Sequence, residues 1–295
     1  MSKIEYVFAG TDPALQSAAA DMLCRCFDEW RIFRSRYGRR FPMEEISFLA
    51  RIDGDCAGHV GLMKFPVRDG AGGTLPMAGV ASVGVAPEYR RRGIAGELCN
   101  RAATWAAQNG FAAMPLYTGV PQVYARCGWQ TVPSNGVTLQ PPPAAAAAAS
   151  EWRSGDALSE AEKDWIKKCY EALPPLPGRV VRDIAGPRFH SWEWLFAGEL
   201  NRFLVTRDGY ALAADGVLAE IGGDAAKVAR RCQGVKEAFL SPLDQGTAAL
   251  QEAGWTLSPA QPDAPACWHG EGAMLKILPN QKVPENLFFP LPDKF

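Results

Sequence analysis

The run Ala81-Ser-Val-Gly-Val-Ala-Pro-Glu-Tyr-Arg90-Arg-Arg-Gly-Ile-Ala-Gly-Glu-Leu98 decides how this chain is read. It opens as a β-prone stretch ending Val83-Gly84-Val85 and then enters a helix that runs from about Gly93 to Gln108. Asn109-Gly110 ends that helix. A strand, a tight loop of successive amides and a helix N-terminus together make an anion cradle, because the N–H groups point at the ligand and the helix dipole favours negative charge. Gly93 and Ala95 keep the backbone approachable, since a larger side chain would stand between the amides and a phosphate. Arg90, Arg91 and Arg92 crowd the positive end of the same dipole, which is unfavourable unless an anion offsets it. The alternative is a solvated arginine cluster. Neither G-x-x-x-x-G-K-[ST] nor G-x-G-x-x-G is present, so this is neither a Walker loop nor a dinucleotide fingerprint.

Working outward, the first half alternates strands and helices. Lys3–Ala9 is β-prone, and Thr11 or Asp12 caps an apolar-periodic stretch from Pro13 to about Phe27. Ser47–Ile52 and Cys56–Phe65 flank Asp53-Gly54-Asp55, a hairpin signal. A Gly-rich turn at Gly70–Gly73 leads into the run quoted above. After the helix come a strand at Ala112–Thr118 and a short helix carrying Tyr124. Pro141-Pro142-Pro143 and six alanines then interrupt the pattern as a spacer or the start of a helix. The second half repeats the first more weakly: Asn201–Val205 and Tyr210–Ala214 form a hairpin around Arg207-Asp208-Gly209, followed by a helix at Asp224–Cys232, a strand at Val235–Leu240 and a helix at Leu243–Ala253. PLYTGVPQVYARCGWQTV and AFLSPLDQGTAALQEAGWTL each read as strand, helix and Gly-Trp corner, the mark of a diverged internal repeat. The expected boundaries are 1–140, a linker at 141–150, a second unit at 151–280 and a tail at 281–295.

Composition sets the class. The chain has 295 residues, 47% hydrophobic and 21% charged, which excludes whole-chain disorder and suits two domains. Residues 1–140 carry 15 basic and 12 acidic groups, and residues 141–295 carry 16 and 20, so +3 and -4 combine to the net -1. That near-neutral balance argues against a nucleic-acid partner. No apolar stretch approaches the roughly 20 residues of a membrane span, and the N-terminus has no signal-peptide pattern, so the expected location is the cytoplasm and no membrane partner is expected. The eight cysteines form no C-x-x-C pair, and His59, His190 and His269 stand alone. Reduced, packed thiols and no metal site are expected, with packing roles for the histidines.

Arg90-x-x-Gly93-x-Ala95, preceded by Val85-Ala86-Pro87, resembles the acetyl-CoA motif of the GNAT superfamily of N-acetyltransferases. Ala78-Gly79-Val80-x-x-Val83, the three arginines and Val123-Tyr124-x-Arg126-x-Gly128 are similar, more narrowly, to the enhanced-intracellular-survival (Eis) acetyltransferases. The resemblance is strong over residues 45–132 and weak beyond 150. It implies an α/β (α+β, mixed-sheet) tandem GNAT fold, with an active N-terminal unit and a degenerate C-terminal one. Leu250 stands where Tyr124 stands, with no arginine-glycine loop before it. Two departures stand out: no counterpart of that family's sterol-carrier-like third domain is expected, and Gly119-Val120-Pro121-Gln122 replaces its usual approach to the tyrosine.

The resemblance also assigns roles. Acetyl-CoA would be the co-substrate, with no metal. Its pyrophosphate would lie on the amides of Arg91, Arg92, Gly93, Ile94, Ala95 and Gly96, beside Arg90. Its thioester would lie along Val83, Gly84 and Val85, which supply an N–H to the carbonyl oxygen. Tyr124 would protonate the leaving sulfur, and the carboxylate of Phe295 would serve as base, brought in by the Pro-stiffened tail PENLFFPLPDKF. The acceptor would be a small-molecule amine. Asp28, Glu29, Glu44 and Glu45 suit a polyamine or aminoglycoside, while Arg31, Arg34, Arg36, Arg39 and Arg40 in the same region suit a carboxylate. Another acyl-CoA, a peptide amine, or a non-catalytic acyl-CoA sensor are the alternative readings, and a homo-oligomer is compatible with all of them.

Overall fold

A computed structural model describes residues 3–10, 12–28, 30–31, 46–133, 135–143, 151–182, 191–258, 267–268 and 271–288. Chain order begins with β1 (Ile4–Phe8), α1 (Pro13–Cys26), β2 (Ile46–Ile52), β3 (Asp55–Arg68) and β4 (Thr74–Val85). Asp12 is the cap of α1, accepting from the amides of Ala14 (2.8 Å) and Leu15 (3.2 Å). The β2–β3 hairpin turns on Asp53 and Gly54, both at positive φ (52° and 94°), as a two-residue connection with right-handed twist demands. Next come α2 (Ile94–Gln108), β5 (Ala113–Thr118), α3 (Pro121–Ala125), β6 (Gln130–Thr131) and β7 (Val137–Gln140). The second half contains α4 (Glu160–Glu171), α5 (Trp192–Ala197), β8 (Asn201–Thr206), β9 (Gly209–Ala214), β10 (Val217–Gly223), α6 (Ala225–Ala229), β11 (Glu237–Leu240), α7 (Gln245–Glu252), β12 (Thr256–Leu257), β13 (Cys267–Trp268) and β14 (Glu271–Ile277). Among the described residues no helix is long and apolar enough to cross a membrane.

Two mixed sheets result, ordered β1-β2-β3-β4-β5-β14-β13 and β12-β7-β11-β10-β9-β8. They exchange strands. β7, at the end of the expected first unit, lies antiparallel to β11 in the second sheet, and β14 returns to lie antiparallel to β5 in the first. The expected repeat is present in three dimensions. In β5–α3–β6 and β11–α7–β12 alike, a left-handed glycine, Gly128 (φ 87°) or Gly254 (φ 90°), and then a buried tryptophan join the helix to the second strand. The amide of Trp129 donates to Tyr124 O (3.2 Å) and that of Trp255 to Leu250 O (3.0 Å), so Leu250 does occupy the position of Tyr124.

The second unit shows what its degeneration amounts to. At the start of α6, in the place α2 holds in the first unit, the Asp224 carboxylate accepts from the amide of Lys227 (3.2 Å). The chain's own carboxylate fills the helix terminus that the first unit caps with glycine. The core beneath is polar at one point: Arg182 pairs with Glu220 (2.9 Å), lies 4.2 Å from the Tyr170 ring and 5.2 Å from that of Trp192, and is fully buried. The Tyr210 hydroxyl donates to the same Glu220 (2.5 Å), and burial, then that carboxylate, push its pKa well up. Arg182→Met would strand the Glu220 carboxylate in the core. The expected cost is about 3–5 kcal/mol, read as a lower denaturant midpoint with an unchanged slope.

The start of the 281–295 tail packs rather than frays. Leu287 joins Phe65, Val67, Met77, Ala113 and Val180 in one cluster, at the N-terminal ends of β4 and β5. Asn135 Nδ2 donates to Leu287 O (2.7 Å). Residues 144–150 of the Pro/Ala stretch lie outside the described residues.

Candidate active site

The site begins as an irregularity in β4. His59 faces Gly84 and Gly61 faces Ala81, so three residues of β4 span what two span on β3. The extra residue makes a bulge, and Ser82 within it has φ +52°. β4 and β5 are registered as a parallel pair only at Met77 and Ala113, well before the bulge. Val83 to Val85 therefore lie where the two strands have parted, with Val83 and Val85 packed at the margin of the first core cluster. Gly84 is tightly enclosed: a Cβ would come within 2.8 Å of Leu23 Cδ2, because α1 lies directly against the bulge.

The arginine loop follows. Arg90 Nε donates to Val85 O (3.1 Å), tying the loop back to the strand end. Arg91 (φ 62°) and Gly93 (φ 77°) both take left-handed conformations, and Gly93 caps α2 with no side-chain hydrogen bond. The amide of Glu97 makes the bond to Gly93 O (3.1 Å), so those of Ile94, Ala95 and Gly96 precede the intrahelical ladder. A Cβ on Gly93 would meet nothing within 4 Å, so the cradle is open on that side. Arg91 and Arg92 are exposed, with the Arg92 guanidinium 5.4 Å from the Tyr89 ring.

Tyr124 closes the corner. Its ring is buried, edge-on to Trp129 at 6.3 Å, and shares a core cluster with Ile94, Leu98 and Leu116. Three residues on, Cys127 Sγ lies 3.9 Å from Gly96 O, so α3 leans on the first turn of α2 and brings the tyrosine beside the cradle. β14 braces this arrangement: Lys276 Nζ donates to Cys127 O and sits 4.8 Å from the Trp129 ring, while Trp129 Nε1 donates to Met114 O (2.8 Å). Burial raises the Cys127 thiol pKa, opposed by Lys276, and pushes Cys99 behind it to about 12. The seven cysteines whose side chains are described are free thiols. Among the described residues no group of three His, Cys, Asp or Glu side chains could hold a metal ion.

The structure thus gathers Val83, Gly84, Val85, Arg90 to Gly96 and Tyr124 into one corner of the first unit. Phe295 lies outside the described residues, as do Glu29, Glu44, Glu45, Arg34, Arg36, Arg39 and Arg40. Asp28 and Arg31 are described, and they pair with each other. His190 and His269 are likewise outside, whereas His59 is fully buried behind the bulge. Sequence reasoning did not single out Lys276, which carries no motif and reaches the site only through strand exchange. A cleft of about 490 Å³ between β1 and α2, lined by Tyr6, Phe8, Phe48 and Trp105, includes none of these residues.

Residues 2–132 match the family model of an acetyltransferase (GNAT) domain. No curated protein matches the chain. Among solved structures it is similar to a GCN5-related N-acetyltransferase from Kribbella flavida, at TM-score 0.59 and 16% identity over 94% of this chain and 71% of that one. It is similar to Eis1 from Mycobacterium abscessus at TM-score 0.57 and 17% identity, over 94% and 73%. A GCN5-related N-acetyltransferase from Anabaena variabilis gives 0.57 and 17%, over 93% and 73%. At such identities the likeness is one of fold, and it bears out the two-unit GNAT architecture implied by the sequence resemblance.

Proposed function

We propose that this chain, whose residues 2–132 match the family model of an acetyltransferase (GNAT) domain, moves an acetyl group from acetyl-CoA to a primary amine of a small molecule by direct transfer. One observation carries the reading: a helix capped by a glycine with no side-chain hydrogen bond, a strand bulge and a buried tyrosine meet in a single corner. In this reading the pyrophosphate sits on the amides of Arg91 to Gly96, and the thioester enters the gap between β4 and β5.

The amine nitrogen attacks the thioester carbonyl carbon, and the carbonyl oxygen gains negative charge as the C–N bond forms. The Val83 N–H stabilises that charge, the kind of fixed donor whose removal costs about 10²–10³ in rate. As the intermediate collapses the C–S bond breaks, and the sulfur takes a proton from the Tyr124 hydroxyl. The amine proton leaves to a base, the role assigned by resemblance to the Phe295 carboxylate. Holding both substrates in line supplies much of the acceleration.

Thiol release from acetyl-CoA, measured against aminoglycosides, polyamines, amino acids and short peptides, tests the reading. Turnover with one amine class supports it, and silence with every class counts against it. The cradle has its own test. Gly96→Val places a branched side chain over the helix terminus, 3.6 Å from Cys127 Sγ at its Cβ. It is expected to weaken CoA and acetyl-CoA alike by about tenfold, equivalent to roughly 1.4 kcal/mol, with the melting temperature little changed. Calorimetric titration checks it.

A further inference from the structure

We infer that His59 and Ser47 form a latch that aims the Val83 N–H, making His59 a positioning residue for the transfer step; the inference rests on the reading of the site given above. His59 lies on β3, and Ser47 on the neighbouring β2; both are fully buried. His59 Nδ1 is 2.8 Å from Ser82 O, and Nε2 is 3.1 Å from Ser47 Oγ.

A carbonyl oxygen only accepts, so Nδ1 carries the proton and donates to it. With a neutral ring Nε2 then holds a lone pair, and the Ser47 hydroxyl donates to that. Both ring nitrogens and both partners are satisfied in this one tautomer, which suits a pair buried this deeply.

The consequence lies in the peptide unit that the latch grips. Ser82 C=O and Val83 N–H belong to the same planar, trans peptide, so they point in opposite directions. Drawing the carbonyl toward β3 turns the amide N–H toward β5. That is the side on which β4 has lost its ladder partner, and where the thioester oxygen is placed in the proposed mechanism. Ser82 holds φ +52°, a conformation that non-glycine residues avoid and that persists only where surrounding contacts over-determine it. The His59 hydrogen bond is such a contact.

The test uses the full chain and three variants. His59→Leu removes the donor, His59→Asn offers an amide N–H at the place of Nδ1, and Ser47→Ala removes the hydroxyl that faces Nε2. His59→Leu is expected to lower kcat about 10- to 100-fold, a misaimed donor costing less than a deleted one, with the Kd for CoA changed by less than threefold. His59→Asn should restore most of that loss, and Ser47→Ala should fall between. The direct readout is the carbonyl stretch of bound acetyl-CoA carrying ¹³C at the thioester carbon: its hydrogen-bonded displacement should shrink in His59→Leu and return in His59→Asn. An unchanged stretch and kcat in a folded His59→Leu protein would overturn the latch, as would equal losses of CoA and acetyl-CoA binding. Should His59→Leu fail to fold, Ser47→Ala and His59→Asn carry the same comparison.

The ligand-free protein gives an independent check. Imidazole ¹⁵N shifts should show the proton of His59 on Nδ1; a proton on Nε2 alone would overturn the inference. If the parent chain binds no acetyl-CoA, the transfer reading fails while this tautomer still decides the latch.

Discussion

Tyr124→Phe is expected to lower the rate of acetyl transfer by about 10²-fold or more, the range of a lost general acid, while leaving the Kd for acetyl-CoA within threefold. The two effects separate because different parts of the site are responsible. Phosphate contacts belong to the amides of Arg91 to Gly96, which the substitution does not touch. The proton for the leaving sulfur belongs to the phenol, which phenylalanine lacks. The ring itself stays, edge-on to Trp129 and inside the cluster with Ile94 and Leu98, so the melting temperature should move by no more than a few degrees. Steady-state thiol release and calorimetry on the same preparation check both halves. Unaltered turnover would move the acid elsewhere; lost binding would make Tyr124 part of the cradle. A non-catalytic sensor would show no transfer in either protein.

Separating the units should be more damaging still. A fragment of residues 1–140 retains every residue of the proposed site except Phe295, yet it lacks β14. That strand pairs with β5 from Gly272–Thr118 to Ile277–Ala113 and with β6 at Met274 and Leu275. Met274 and Leu278 are buried in the first core, and Lys276 holds the Cys127 carbonyl. Burying one such apolar side chain contributes about 1.5–3 kcal/mol, against a net domain stability of about 5–15 kcal/mol. Removing two of them, the ladder and the brace together should take most of that margin and leave the apolar β5 as an exposed edge. The expected result is a fragment without a cooperative melt that aggregates, and recovery of a folded complex when residues 141–295 are co-expressed. Circular dichroism and size-exclusion chromatography decide it: a fragment that melts cooperatively near the parent temperature would show that β14 is dispensable.

What could be read in advance follows from how local each feature is. The β2–β3 hairpin was legible because Asp53 and Gly54 accept the positive φ that a two-residue turn imposes. The helix start at Ile94 was legible because Gly93 and the arginines sit where an open terminus must be, and the Gly-Trp corners at 128–129 and 254–255 revealed the repeat. β10 was not. Its sequence VLAEIGG has no alternation, ends in two glycines and buries Glu220, whose partner Arg182 is 38 residues away. The strand exchange was equally hidden, since β14 pairs with β5 across about 150 residues and carries no turn signal for that pairing. His59 was foreseen only as a packed side chain. Its contact with Ser82 depends on a bulge whose register appears only once β3 and β4 are aligned.

In the proposed function the loop after β4 holds acetyl-CoA with its thioester at the bulge and its sulfur under Tyr124. A crystal structure of the full chain with acetyl-CoA tests it most directly. The expected result is pyrophosphate oxygens on the amides between Arg91 and Gly96, the thioester oxygen about 3 Å from Val83 N, as a hydrogen bond requires, and the sulfur within reach of the Tyr124 hydroxyl. A cofactor bound elsewhere, such as in the cleft between β1 and α2, or a thioester turned away from Val83, would contradict it.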